Sequence, residues 1–224
     1  EATVGDARCP PGAAAAGGKV KAPARRAGGR VGAKWNALCD PTEEELGEVC
    51  PRGLEGTPIE LLLAAPEHED EPRTTLQGHG DYVFGIFQAA RAADAVNSIY
   101  YQVIGLVITH DTILTVRKTP PGHEPFSVDQ IRDAVRPTDS AGMIAYRIVD
   151  DIAECYLDLV DDVDAEIDEL EDLVDTQSNA TTRERISELR HDLLHIRRTL
   201  APMRDAVRRV VDDVVDVEKG KDVF

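Results

Sequence analysis

The 224-residue chain has no apolar run long enough to cross a bilayer. The longest runs, at 61–65 and 103–108, fall far short of the ~20 residues that a membrane helix needs. The chain is therefore expected to be soluble as given. There is no initiator methionine and no charged-then-apolar leader, so no signal peptide is expected. Cysteine is scarce: Cys9, Cys39, Cys50 and Cys155 are scattered, and none forms C-x-x-C. A reduced, cytosolic setting is the simpler expectation. Bases are too few for a nucleic-acid binder. Acids outnumber them 42 to 25, giving a formal charge of −17, which disfavours both nucleic acid and anionic membrane surfaces. The glycines at 28–32 lack the spacing and the Lys-Ser/Thr ending of a phosphate loop. No Ser/His/Asp or Cys/His set has supporting context.

Aromatics are only 4% of the chain, but the 42% hydrophobic share is enough for a substantial core in one large domain or two small ones. The charge is uneven. Residues 1–34 hold 7 bases and 2 acids, and 20 of the 34 are Ala, Gly or Pro. They read as a flexible, low-complexity arm, with a first strand expected near 30–38. Residues 150–175 hold 13 acids and no base.

Asp40-Pro41-Thr42-Glu43-Glu44-Glu45 reads as a helix start, with Asp40 as the cap and acids at the positive end of the dipole. A second short helix is expected at 58–65 and a polar loop at 67–80. Residues 82–87, 100–109 and 112–118 have strand composition. His110-Asp111 forms a two-residue hairpin turn between the last two. A helix at 127–135 follows.

From about Ala141 the apolar residues Ile148, Ile152, Tyr156, Leu159, Val163, Ile167, Leu170 and Val174 recur at steps of three and four. A single helix to about Asp175 is expected. Thr181-x-x-Glu184 offers a capping box for another. In that helix Ile186, Leu189, Leu193, Ile196, Leu200, Met203, Val207, Val210, Val214 and Val217 form a heptad seam, with Pro202 expected to kink or split it. The two make an antiparallel hairpin, the first helix acidic and the second carrying Arg183, Arg185, Arg190, Arg197 and Arg198. The fold class expected is α/β (α+β): a mixed sheet between helical layers, then the long hairpin. The expected divisions are 1–34 (arm), 35–140 (sheet part) and 141–224 (hairpin).

Several of these segments resemble the CorA family of divalent-cation transporters. Trp35 followed by Pro41-Thr42-Glu43-Glu44-Glu45 is similar to the family's W-x-x-x-x-x-P-T-E-E-E opening. Tyr82-Val83-Phe84 resembles its Y-V-F strand, and Ile113-Leu114-Thr115-Val116-Arg117 its L-I-T-V-R hairpin end. The run from Asp161 to Glu171 resembles the family's acidic helix. Leu189-Arg190 through Arg197-Arg198 to Pro202 and Arg204 resembles its L-R-x-x-L-x-x-x-R-R-x-x-x-P-x-R segment. The resemblance covers about 35–215. It implies the cytoplasmic regulatory (funnel) domain of a magnesium or cobalt channel. It also implies a homopentamer in the full-length protein and a membrane pore outside this chain. In one alternative the domain belongs to a zinc-transporting relative. In another, from a different class, the chain is a soluble coiled-coil scaffold. No enzymatic role is expected.

One departure stands out. The acidic pair that contributes to the family's regulatory Mg²⁺ site falls here on Leu62-Leu63, after Thr57-Pro58. The residues left for cation contact are Asp158, Asp161, Asp162 and Asp168, near one another on one helix. They are expected to attract hydrated divalent cations diffusely, Mg²⁺ first, with Co²⁺ and Zn²⁺ open. Glu67-His68-Glu69-Asp70-Glu71 is a second acidic cluster, read chiefly as solvated. His191-Asp192-Leu193-Leu194-His195 resembles the H-E-x-x-H zinc motif with Asp for Glu, but no third ligand is evident. Asp is also too short to serve well as the base.

Overall fold

The computed structural model describes residues 5–6, 32–65, 73–93, 98–176 and 180–218. Six strands, β1 (Gly5–Asp6), β2 (Lys34–Cys39), β3 (Thr75–Gly78), β4 (Val83–Ala93), β5 (Ser98–Ile108) and β6 (Thr112–Lys118), form one sheet in the order β1-β2-β6-β5-β4-β3. β1, β2 and β6 run parallel, whereas β6-β5-β4-β3 is an antiparallel meander. Helices α1 (Glu43–Val49), α2 (Thr57–Leu63), α3 (Asp129–Ala134), α4 (Ala141–Thr176) and α5 (Ala180–Glu218) complete the fold. The expected mixed sheet between helical layers is the one observed.

Alternation along the strands assigns the two faces. Phe84 and Ile86 of β4, Val103 and Val107 of β5, and Leu114 and Val116 of β6 pack with Leu46 of α1 and Leu62 of α2. Their neighbours Val83, Phe87, Ile104, Leu106 and Ile113 point the other way. They join Trp35, Phe126, Ile131 and the inner faces of α4 and α5. Buried on both faces, β4 and β5 read as near-continuous apolar runs. One polar bond is sealed within: the Trp35 indole N–H donates to the Thr115 hydroxyl across β2 and β6 at 3.0 Å.

Local details differ from expectation where tertiary contacts intervene. α1 is capped by Thr42, whose hydroxyl accepts from the Glu45 N–H while the Glu45 carboxylate accepts from the Thr42 N–H. Asp40 is held instead by the sheet: it adopts φ +44° and its carboxylate accepts from the Thr119 N–H at 3.3 Å. Residues 75–78, expected in a loop, form edge strand β3 because β4 offers them a ladder. β2 starts later than expected, at Lys34, where its pairing with Thr112 of β6 begins. In the arm, Gly5 and Asp6 add an edge strand to β2, a pairing no periodicity announced. Cys50 and Cys155 are free thiols. Cys39 is disulfide-bonded, which corrects the expectation of a fully reduced set. Its strand is the one that β1 draws alongside. α5 begins at Ala180, so Thr181 stands inside its first turn. Pro202 neither ends nor splits it.

Candidate cation-facing surface

The candidate surface is built on α4. Its inner face, Ile148, Ile152, Tyr156, Leu159 and Val163, is buried against the sheet and α5. With 3.6 residues per turn the intervening acids must point outward. Asp158, Asp161, Asp162 and Asp168 are all exposed. None makes an ion pair among the described residues. Asp158, Asp161 and Asp162 sit within one turn, and Asp168 two turns beyond Asp161. No trio of His, Cys, Asp or Glu side chains converges into a metal cage among the described residues. The acids thus form a spread of charge over solvent rather than a chelate. The crowding is felt at Asp151, on the same helix. Burial chiefly, then repulsion by Asp150 and Glu154, pushes its carboxyl above the ordinary range.

The expected pairing of α4 with α5 is present at Arg185. Arg185 pairs with Glu166 across the hairpin and with Glu188 on its own helix at 3.1 Å. Arg183, Arg190, Arg197 and Arg198 are exposed and make no ion pair among the described residues. The reason is rotation. Along α5 the buried positions are Thr182, Leu189, Ile196, Thr199, Met203 and Ala206. The inward face is therefore shifted from the apolar seam, and Ile186 and Leu193 are left exposed.

Among the described residues, the two histidines join no cluster of metal-ligating side chains. The His191 Nδ1–H donates to the Ser187 carbonyl at 2.8 Å. His195 stacks on Tyr101 of β5, with ring centroids 4.3 Å apart. Between them, Asp192 is half-buried beside Arg185. Desolvation chiefly raises its carboxyl, against the pull of Arg185. The cluster at 67–71 lies outside the described residues.

At the positions of the family's acidic pair, Leu62 is 1% exposed. It lies so close to Gly105 that a Cβ there would come within 2.2 Å of the leucine Cδ2. Leu63 is half-buried, and its carbonyl accepts from the buried Lys118 ammonium at 3.4 Å. A carboxylate at Leu62 would be an unpaired charge in the core. The residues present do not fit a divalent ion at this place. Sequence reading missed one further feature: a shallow polar hollow of about 240 Å³ between α3 and α4, with Gln130, Arg147, Asp150 and Asp151 in its lining. Arg147 is already turned to Asp139, at 3.4 Å. No local motif marks this hollow, because two separate helices make it.

The fold is thus a mixed sheet between helical layers, continued by a long hairpin with an acid-lined outer face. The sequence model of the CorA-like Mg²⁺ transporter protein family matches residues 32–222, and the chain belongs to that family. Over 85 residues it is 34% identical to Bacillus subtilis (strain 168) YfjQ, a protein that carries the name of a metal ion transporter. The matched stretch is 37% of this chain and 27% of YfjQ. Among solved structures it resembles the soluble domain of CorA from Methanocaldococcus jannaschii. The TM-score is 0.59 at 21% identity, over 77% of this chain and 67% of that one. It also resembles the ZntB cytoplasmic domain of Vibrio parahaemolyticus RIMD 2210633. There the TM-score is 0.56 at 16% identity, over 84% of this chain and 72% of that one. At these identities the likeness is one of fold. No helix among the described residues is long and apolar enough to cross a membrane.

Proposed function

We propose that this chain is the cytoplasmic regulatory domain of a divalent-cation channel, carrying Mg²⁺ or Co²⁺ as cargo through a pore formed elsewhere and working as a homopentamer. The observation that carries the reading is the family match over 32–222 in a chain whose described helices include no candidate span. The acidic outer face of α4, with Asp158, Asp161, Asp162 and Asp168, concentrates hydrated cations near the domain without binding them in fixed geometry. Mg²⁺ keeps its waters readily, so a solvated carboxylate stripe suits it. A zinc-carrying role is the second reading, favoured by the likeness to the ZntB cytoplasmic domain.

The test is a chimera in which this chain replaces the soluble domain of M. jannaschii CorA, reconstituted in vesicles. Mg²⁺ uptake is expected to persist. A folded, assembled chimera that carries no divalent cation would overturn the reading. For the chain alone, with Leu62 in the core, millimolar Mg²⁺ is expected to shift the melting temperature only slightly. A large, saturable stabilisation would contradict the absence of a tight site.

A further inference from the structure

We infer that Cys39 is cross-linked to Cys9, and that this disulfide is a redox-operated latch holding edge strand β1 on the sheet. The pairing holds whichever ion is transported.

The cysteines of the chain leave one partner for Cys39. There are four. Cys39 is disulfide-bonded, Cys50 and Cys155 are free thiols, and Cys9 is the one that remains. Strand register brings the same two together. β1 runs parallel to β2, with Gly5 beside Asn36 and Asp6 beside Ala37. Cys39 is two residues beyond Ala37, and Cys9 three beyond Asp6. Three residues reach up to ~10 Å, so a chain anchored at Asp6 has length enough to bring Cys9 to the end of β2. A disulfide needs the two Cα atoms only about 4–7 Å apart.

The strand that the bond secures is small. β1 is two residues long and pairs with two of the six residues of β2. So short a ladder does not by itself offset the entropy of ordering a chain end. Residues 10–31 are rich in Ala, Gly and Pro and show no apolar period, so their spacing supplies no second anchor. The disulfide does, because it closes the chain from Cys9 to Cys39 into a loop and removes open conformations from the unfolded ensemble. Without β1, β2 becomes the edge of the sheet, with open N–H and C=O groups on its outer side.

Cys39 is placed for exchange. It is half-buried rather than sealed, at the last position of β2. In a reducing cytosol such bonds form transiently and respond to redox state; this step alone leans on the cytoplasmic reading above. To open the latch, a thiolate of a dithiol reductant attacks one sulfur, and the bond between Cys9 and Cys39 breaks. The second thiol of the reductant then resolves the mixed disulfide. Two electrons pass from the dithiol, its two protons end on Cys9 and Cys39, and it leaves as its own disulfide. A disulfide oxidant closes the latch by the reverse steps.

The test is a peptide map of the 224-residue chain, equilibrated with oxidised glutathione, alkylated in denaturant and digested without reductant, then repeated after dithiothreitol. The oxidised chain is expected to give one linked pair, Cys9 with Cys39, and alkylated Cys50 and Cys155. The reduced chain should be alkylated at all four. Reduction should lower the melting temperature by at least about 3 °C and speed hydrogen exchange of the β2 amides about tenfold. Cys9→Ser and Cys39→Ser should each melt with the reduced parent and be indifferent to dithiothreitol. Cys9→Ser leaves β2 untouched, so its effect cannot come from damage to that strand. An oxidised map with Cys39 alkylated, or joined to any other cysteine, would overturn the pairing. Equal melting and exchange in the two redox states would overturn the latch. Neither readout involves transport, so either failure leaves the transport reading standing, and a chimera that fails to transport leaves the cross-link in place.

Discussion

The sheet and the hairpin treat the same kind of residue differently. In the sheet, apolar side chains find partners within the chain on both faces. Ile86, Phe87, Ile104 and Leu114 are sealed completely. In the hairpin only the inner stripe of each helix is covered, and Leu157, Val160, Ile186 and Leu193 remain in water. Periodicity announces that a helix has an apolar face. It does not say whether that face is satisfied within the chain. The sheet is complete as a folded object, whereas the hairpin has surface to spare for something else.

Substitutions sharpen that contrast. The largest effect is expected for Leu62→Asp, which sets an unpaired carboxylate against Gly105 in the core. It should cost at least ~3 kcal/mol by urea unfolding, or abolish folding. Gly105→Val should be next, at ~2–3 kcal/mol, because its Cβ meets the Leu62 side chain and the core must move. Thr115→Val leaves the Trp35 N–H without its acceptor and should cost ~1–3 kcal/mol.

Asp151→Asn is smaller and depends on pH. Its carboxyl is raised in the folded chain, so the folded state holds that proton more firmly than the unfolded one. The group's contribution is fully present below the unfolded pKa and is lost as pH rises through the folded value. The amide should therefore melt slightly above the parent at pH 7. The gain should vanish on acidification toward pH ~4, where the unfolded carboxyl also protonates. Equal melting temperatures at pH 7 would refute this. Smallest is Leu193→Asp on the hairpin, expected to change monomer stability by no more than ~0.5 kcal/mol. A loss comparable to that of Leu62→Asp would erase the distinction between the two regions.

Much of the fold was legible in the sequence. α4 begins at the expected residue and ends within one of it, since a long apolar stripe leaves few alternatives. β6 and the turn at His110-Asp111 were equally clear, because two strand-like runs flank two turn residues. β3 was not legible: Thr75-Leu76-Gln77-Gly78 is polar and short, and it is a strand only because the edge of β4 is there to pair with. The cap of α1 was misplaced by two residues, since Asp40 and Thr42 are both good caps and the β6 end claims Asp40. The acidic stripe was legible as a stripe. That Glu166 meets Arg185 while Asp158, Asp161, Asp162 and Asp168 make no ion pair among the described residues was not, because pairing with α5 depends on how that helix is rotated.

Spacing and composition along the chain were enough for the long helices, the central strands, the family and the polarity of α4 and α5. Which apolar stripe is buried follows from how α4 and α5 pack against the sheet and each other. Packing also set Leu62 against Gly105 where an acid pair was looked for, and turned Asp158, Asp161 and Asp162 of α4 and Arg190, Arg197 and Arg198 of α5 outward. These depend on distances between residues far apart in the chain, which no local pattern encodes.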